Sequence, residues 1–471
     1  MTAKLAYDVV VIGAGPAGIA AATTAAKHGM SVLMLDEWTK PGGQIYRNIG
    51  GSSSKLRRVL GSDYERGDEL LRGLAATKIE YRPQSTVWSL GKDGSVNFLS
   101  NGASHVAQGQ RIVVATGAQE RPFPLEGWDI PGVMTVGAAQ TLLKSSGMVA
   151  KRAALIGSGP LLWLLADQYC RAGHPPVAIV ETTSGRRLRS AIPALPRFLS
   201  SPYALKGLRL LWRVKRSVPV YTRAERVKIV DEQGSFRIFF DQGNKKLSIL
   251  AEHAFLHLGV MPQINLPNAL GCKLTWNDYQ RCWDVLVDTW GRTSLDNIFM
   301  AGDGVSIGGA EIAHARGVLA GLACARDLAR IDGCDLDLAA IVPRRTITNY
   351  SRGRTFLDRL YRPETSFLVG TPNATACRCE DISVGQIQIA CSELRPAGAN
   401  QMKAFLRCGM GPCQGRFCGS TVAAIAAAQT GATDESGMDP YRHRFPIKPV
   451  TVGDLSAGEY SPSEKNAVAR A

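Results

Sequence analysis

Six of the eleven cysteines lie between residues 377 and 418: Cys377, Cys379, Cys391, Cys408, Cys413 and Cys418. Spacing singles out four of them. Cys377 and Cys379 form C-x-C, thirty-three residues intervene, and Cys413 and Cys418 form C-x4-C. Four thiolates can hold zinc or a [2Fe–2S] cluster. C-x-C puts two sulfurs on one side of a tight loop, and the glycine-rich GMGPCQG run gives backbone N–H groups room to face an inorganic cluster. Cys408 is the nearest rival ligand, Cys391 falls outside the pattern, and zinc is the alternative metal. Cys170, Cys272, Cys282, Cys324 and Cys334 are isolated and read as small buried or neutral residues. No C-x-x-C stands outside the cluster, so a reactive dithiol is not expected.

A second constellation is made of glycines. Gly13, Gly15 and Gly18 form GAGPAG, with Pro16 and Ala17 between them, after the apolar run YDVVVI. IAAATTAAKHG follows with helix composition, then SVLMLD, which ends in Asp36. This is the complete strand, glycine turn, helix, strand and acid of a dinucleotide site. Gly13 permits the tight turn, Gly15 lets N–H groups approach a pyrophosphate, and Gly18 lets helix and strand pack closely. The helix N-terminus presents its positive dipole end to the phosphates. Asp36 is placed to accept from a ribose hydroxyl, and Glu37 is the weaker candidate. Residues 152–181 repeat the pattern with Gly157 and Gly159, but Leu162 stands in the third position, and Glu181 ends the second strand. Leucine there forces helix and strand apart or changes the turn, which puts nicotinamide binding in doubt.

The elements that must carry these residues follow from the same patterns. The fold class expected is α/β, with two Rossmann-like dinucleotide-binding domains and a small helical C-terminal domain. RIVVATGA (111–118) and LDNIFMAGDG (295–304) each read as a strand running into a turn, and the second returns to complete the first sheet. The first domain is therefore discontinuous, 1–120 plus 288–330. The second is 121–287, with a basic insertion at 186–228. A linker (331–370), the cysteine domain (371–440) and an extended strap with a disordered end (441–471) complete the chain. AEIAHARGVLAGLACARDLA is a helix with alanine and glycine on one face, and its His314 and Arg316 read as structural or solvated. Ser383 and Gln386 form a capping box that starts a helix after the first cysteine pair, and CGSTVAAIAAAQTG is a second helix closed by Gly431.

The ATG turn (Thr116, Gly117), the GD turn (Gly302, Asp303) and PGGQIYR, with Gly43 and Gln44, resemble the flavoproteins that carry two dinucleotide-binding domains of the FAD/NAD(P)-disulfide-reductase type. The resemblance implies FAD in the first domain, with the GD aspartate on the ribityl chain and Gly43 and Gln44 near the flavin. The C-terminal segment resembles the [2Fe–2S] domain of the bacterioferritin-associated-ferredoxin type, in the CQGxxC form attached to FAD-dependent dehydrogenases. Together the pieces resemble the alpha subunits of heteromeric opine oxidase, D-hydroxyproline dehydrogenase and hydrogen cyanide synthase. That implies a beta subunit of the D-amino-acid-oxidase type that oxidises a C–N bond of an amino acid, imino acid or opine. This chain then carries electrons through FAD and the [2Fe–2S] cluster to a quinone or other acceptor, and no side chain here serves as catalytic acid or base. FMN at a subunit interface and a small ferredoxin-like subunit are further features of the family. The alternative is a self-contained NAD(P)H-dependent FAD/[2Fe–2S] reductase.

The charge is uneven. The 471 residues carry +15, with +11 between 186 and 228 and +5 between 344 and 362. No nucleic-acid-binding motif accompanies it, so a solvated face or an acidic partner subunit is the expected use. No apolar run is long enough for a membrane helix. Reduced thiols point to the cytoplasm, or to the membrane periphery through a quinone acceptor.

Overall fold

The computed structural model describes residues 5–432, 436 and 438–458. The apolar run becomes the strand Leu5–Ile12, flanked in parallel by Val32–Leu35 and Ala103–Val114. These belong to a seven-stranded sheet in the order Glu80–Arg82, Val32–Leu35, Leu5–Ile12, Ala103–Val114, Ser95–Ser100, Thr86–Leu90. Ile298–Met300 pairs in parallel with Ala103–Val114, so the GD strand returns to the first sheet as expected. The helix Ala310–Asp327 then lies along the glycine-turn helix Pro16–Lys27. Small residues make that contact close. A Cβ on Gly317 would stand 2.1 Å from the Ala17 carbonyl oxygen, and one on Gly321 2.7 Å from that of Ala21.

The second unit has a five-stranded sheet, Val220–Tyr221, Ala178–Glu181, Ala153–Ser158, His253–Leu258 and Val133–Thr135, and beside it a three-stranded antiparallel meander over residues 224–251. Two short antiparallel strands, Ala118–Glu120 and Val260–Pro262, join the units. Residues 265–285 return to the first unit, where Leu266, Leu270, Cys272 and Val285 share a core with Val10, Ile12 and Leu33.

The segment expected as a linker is dominated by one 28-residue helix, Gly333–Leu360. It packs along the basic insertion, which forms the helices Gly185–Ala191, Leu195–Leu199 and Tyr203–Ser217. Phe356 meets Phe198 at 4.6 Å between ring centroids, and Tyr350 meets Tyr203 at 5.6 Å. The cysteine domain has its own core, with Val384, Ile387, Met402, Val422 and Ile425 fully buried. Its helices are Val384–Leu394, Ala399–Leu406 and Gly419–Gln429. The Ser383–Gln386 capping box is formed in both directions; the helix over residues 399–406 was not foreseen from the residue pattern. The tail runs back over the first unit, where Ile447 N–H donates to the Trp88 carbonyl at 3.0 Å. The end of the tail, expected to be disordered, lies outside the described residues.

Candidate functional site

The first glycine turn is drawn tight by backbone contact. Gly13 has φ +107°, and a Cβ on it would stand 2.5 Å from the Ala115 carbonyl oxygen. A Cβ on Gly18 would lie 1.8 Å from the Gly13 oxygen, so no side chain is tolerated there. Gly15 caps the helix, and Pro16 occupies its first turn, where a missing N–H removes nothing from the helix. Gly43, at φ +60°, backs onto Gly15: a Cβ there would meet the Gly15 Cα at 2.8 Å. The ATG turn arrives next to Gly13 through Ala115, and Gly302 of the GD turn lies against Ala17, whose Cβ a Cβ on Gly302 would meet at 2.7 Å. Chain segments around residues 13–18, 43, 115–117 and 302 therefore converge on one place, as the motifs predicted.

The polar groups fit a dinucleotide. Thr116 Oγ1 and Arg47 Nε are buried without a hydrogen-bond partner. Burial in a folded interior normally demands such a partner, so both point to a missing ligand. Arg47 lies 3.8 Å over the Trp38 ring and donates to Gln44 Oε1 at 3.0 Å. Asp36 is buried and accepts from Ala14 N–H at 2.5 Å and Trp38 N–H at 2.7 Å. Each carboxylate oxygen keeps a lone pair for a ribose hydroxyl. Burial raises the Asp36 pKa, and the two backbone donors oppose that. Glu37 is turned to the tail, where it ion-pairs with Lys448. Asp303 Oδ1 accepts from Gly308 and Gly309 N–H, ordering the loop ahead of the helix Ala310–Asp327. Arg316 holds the same loop through the carbonyls of Gly302 and Ser306, a structural role, and His314 is exposed.

Lys144 carries no mark in the sequence. It is buried on the second unit's helix Val136–Ser146 and donates to the Gln44 carbonyl at 2.9 Å and to Gln140 Oε1 at 2.9 Å. Burial, with the nearby Arg47 charge adding to it, pushes its pKa down to about 7. It ties the Gly43–Gln44 loop of the first unit to the second.

The second glycine turn is filled by the protein's own side chains. The His257 imidazole sits where a Cβ on Gly159 would be 2.9 Å away, and its Nδ1 lies 2.7 Å from Glu120 Oε1. Glu120 Oε2 also accepts from Gly137 N–H at 2.8 Å. A carboxylate at this turn opposes a pyrophosphate. Leu162 is fully buried in the hydrophobic core with Leu155, Leu165 and Phe255. Glu181, the expected ribose acceptor, is buried and accepts from Thr183 N–H at 3.1 Å, and buried Tyr361 lies near enough for the Glu181 charge to raise its pKa.

In the cysteine domain the sulfurs interact in a chain. Cys377 hydrogen-bonds with Cys408 and Cys418, and Cys413 with Cys418 and Cys379. Those bonds hold Cys377 and Cys413 well below the usual thiol range and raise Cys408 and Cys418. Backbone N–H groups of Gly409 and Glu380 face Cys377, and those of Phe417 and Gly415 face Cys413. Among the described residues no group of three or more Cys, His, Asp or Glu side chains is arranged to hold a single metal ion. The four predicted sulfurs thus come together, and Cys408 joins them as a fifth. Its equal spacing, C408-x4-C413-x4-C418, was the available signal. Cys391 stays apart in the helix Val384–Leu394. Tyr441 from the tail is a wedge behind the loop: Cβ atoms on Gly409 and Gly415 would meet its ring at 2.5 and 2.4 Å.

Fold and first site together define a flavin oxidoreductase of the pyridine nucleotide-disulphide oxidoreductase family, whose profile matches residues 7–317. Within that class the chain belongs to the family of opine oxidase alpha subunits. It is 41% identical to the alpha subunit of opine oxidase from Agrobacterium tumefaciens (strain Ach5), over 96% of this chain and 91% of that one. Hydrogen cyanide synthase subunit HcnB of Pseudomonas aeruginosa is 29% identical over 94% of this chain and 96% of its own. The crystal structure of L-proline dehydrogenase from P. horikoshii shares the fold, with TM-score 0.69 and 20% identity over 96% of this chain and 80% of that one. The resident dinucleotide of the first unit is FAD.

Proposed function

We propose that the chain is the electron-transferring flavo-iron–sulfur subunit of a heteromeric dehydrogenase. A partner subunit of the D-amino-acid-oxidase type oxidises a C–N bond of an amino acid, imino acid or opine. Electrons then pass through this chain to a quinone or another non-nicotinamide acceptor. The observation that carries the reading is the second glycine turn: the His257 ring, paired with Glu120, lies against Gly159, and Leu162 stands in the third glycine position, which supports reducing equivalents arriving from a partner.

FAD, when bound, supplies the change from two-electron to one-electron transfer. Gly13, Gly15, Pro16, Ala17 and Gly18 would seat its pyrophosphate, Asp36 its ribose, Thr116, Gly117, Gly302 and Asp303 its central chain, and Gly43 and Gln44 the ring end. Lys144 holds the Gln44 carbonyl in place. Cys377, Cys379, Cys413 and Cys418 would ligate a [2Fe–2S] cluster. Its two irons divide the thiolates between them, which suits sulfurs that meet in a chain better than the one tetrahedral centre zinc requires. The N–H groups of Gly409, Glu380, Gly415 and Phe417 would stabilise thiolate charge. FMN at the subunit interface and a small ferredoxin-like subunit complete the assembly, which sits in the cytoplasm or at the membrane edge.

Anaerobic mixing with NADH or NADPH tests the reading: the flavin should stay oxidised, whereas the complex with its partner should bleach on adding opine or imino acid. Rapid bleaching by NAD(P)H would establish the self-contained reductase instead. Iron and sulfide analysis should find two of each per chain by the [2Fe–2S] stoichiometry, and Cys413→Ser should lose both while keeping FAD.

A further inference from the structure

The two basic blocks of the sequence meet in the fold, because the helix Gly333–Leu360 packs on the helices of the insertion. Between 186 and 217 there are nine basic residues and no acid. On the same stretch large apolar side chains face solvent: Leu188, Ile192, Leu199, and then Leu205, Leu208 and Trp212, which are 57, 58 and 61% exposed. The last three recur on one face of the helix Tyr203–Ser217, while Ala204 and Val214 are buried against the protein. The helix is therefore apolar on an outer as well as an inner face. Arg216 stacks on Trp212 at 4.4 Å. On the long helix Leu338, Ile341 and Val342 are exposed as well, between Asp335 and Asp337 on one side and Arg344 and Arg345 on the other.

We infer that this face seats the protein on an anionic lipid surface. A subunit interface has a core depleted of charge. Here cations share the apolar face: Arg209 lies four residues after Leu205 and three before Trp212, and Arg216 four after Trp212. An acidic partner protein would have to match charge at every step. A lipid surface accommodates the pattern without such matching, because apolar side chains enter the acyl boundary while arginine and lysine heads remain among phosphates. Trp212 suits the same boundary. Four of the cations are held by acids of the protein itself: Arg213 pairs with buried Asp167 at 2.8 Å, Lys206 with Asp63, and Arg186 and Arg187 with Glu364. Docking therefore falls to Arg189, Arg197, Arg209, Lys215 and Arg216.

The complex with its partner subunit, sedimented with vesicles of phosphatidylcholine alone or with about a third phosphatidylglycerol, tests this. Binding is expected to the anionic vesicles only and to weaken with salt. Leu208→Ser with Trp212→Ser, and separately Arg209→Glu with Arg216→Glu, should each lower binding by about tenfold or more. Flavin content and partner co-purification should stay at wild-type levels in both. No sedimentation of wild type with anionic vesicles at low salt overturns the inference. So does loss of partner co-purification in either variant, which would make the face a subunit interface.

Discussion

The two glycine turns begin alike. GAGPAG and GSGPLL each follow a buried strand, and each has a glycine N-cap and a proline opening the helix. In both, the first glycine lies against the neighbouring strand: a Cβ on Gly13 would meet the Ala115 oxygen at 2.5 Å and one on Gly157 the His257 oxygen at 1.8 Å. They diverge at the third position, which is Gly18, tight against the Gly13 carbonyl, in the first unit and a core leucine in the second. Both regions leave buried polar atoms without partners, Thr116 Oγ1 and Arg47 Nε in the first and Trp163 Nε1 and Thr183 Oγ1 in the second; the second alone has a His257–Glu120 pair against its glycine.

Copying the second turn into the first should have the largest effect. Gly18→Leu drives a side chain into backbone, and FAD retention should fall at least about a hundredfold, read from flavin absorbance per chain. Retained iron would show that the cysteine domain still folds. The reverse change sharpens the contrast. Leu162→Ala restores a small third residue and should destabilise by about 2–5 kcal/mol in denaturant titration, as for other core leucines. NADPH should still not bind, because His257 and Glu120 remain; saturable binding would show that Leu162 alone closes the site.

Lys144 probes the seam between the units. A lysine with a lowered folded pKa binds fewer protons when folded than when unfolded. Stability should therefore rise with pH from about 7 toward the ordinary lysine value of 10.5. Relative to Lys144→Met, wild type should gain roughly 1 kcal/mol per pH unit between pH 7 and 9, measured as unfolding free energy across that range; parallel curves would remove the buried charge from the account. The smallest effect is expected at Glu37, which pairs with Lys448 at the surface. Glu37→Gln should change stability by under about 1 kcal/mol and leave FAD bound, whereas loss of FAD would return Glu37 to the ribose site.

Much of this was legible in the residues because it is local. Glycine spacing, an acid at a strand end, a capping box and C-x-C each act within a few residues, so pattern alone placed Gly13, Gly15, Gly18, Asp36, Cys377 and Cys379. The ATG and GD turns were legible for the same reason, although 185 residues of chain separate Gly117 from Gly302. Lys144 and Tyr441 left no such mark, and each depends on segments far apart in the chain. Lys144 is one more lysine on a helix until the Gln44 loop closes over it, 100 residues away.

By itself the sequence determined the two strand-turn-helix units, the cysteine pairs and the places of high charge, since short-range sterics and periodicity dictate them. Only the tertiary structure decided that the His257 ring, paired with Glu120 137 residues away, lies against Gly159. It also decided that Cys408 joins the sulfurs and that the helix Gly333–Leu360 packs on the helices of the basic insertion. Those outcomes rest on which surfaces are buried against each other, and burial converts a charge or a donor from a solvated group into one that must find a partner.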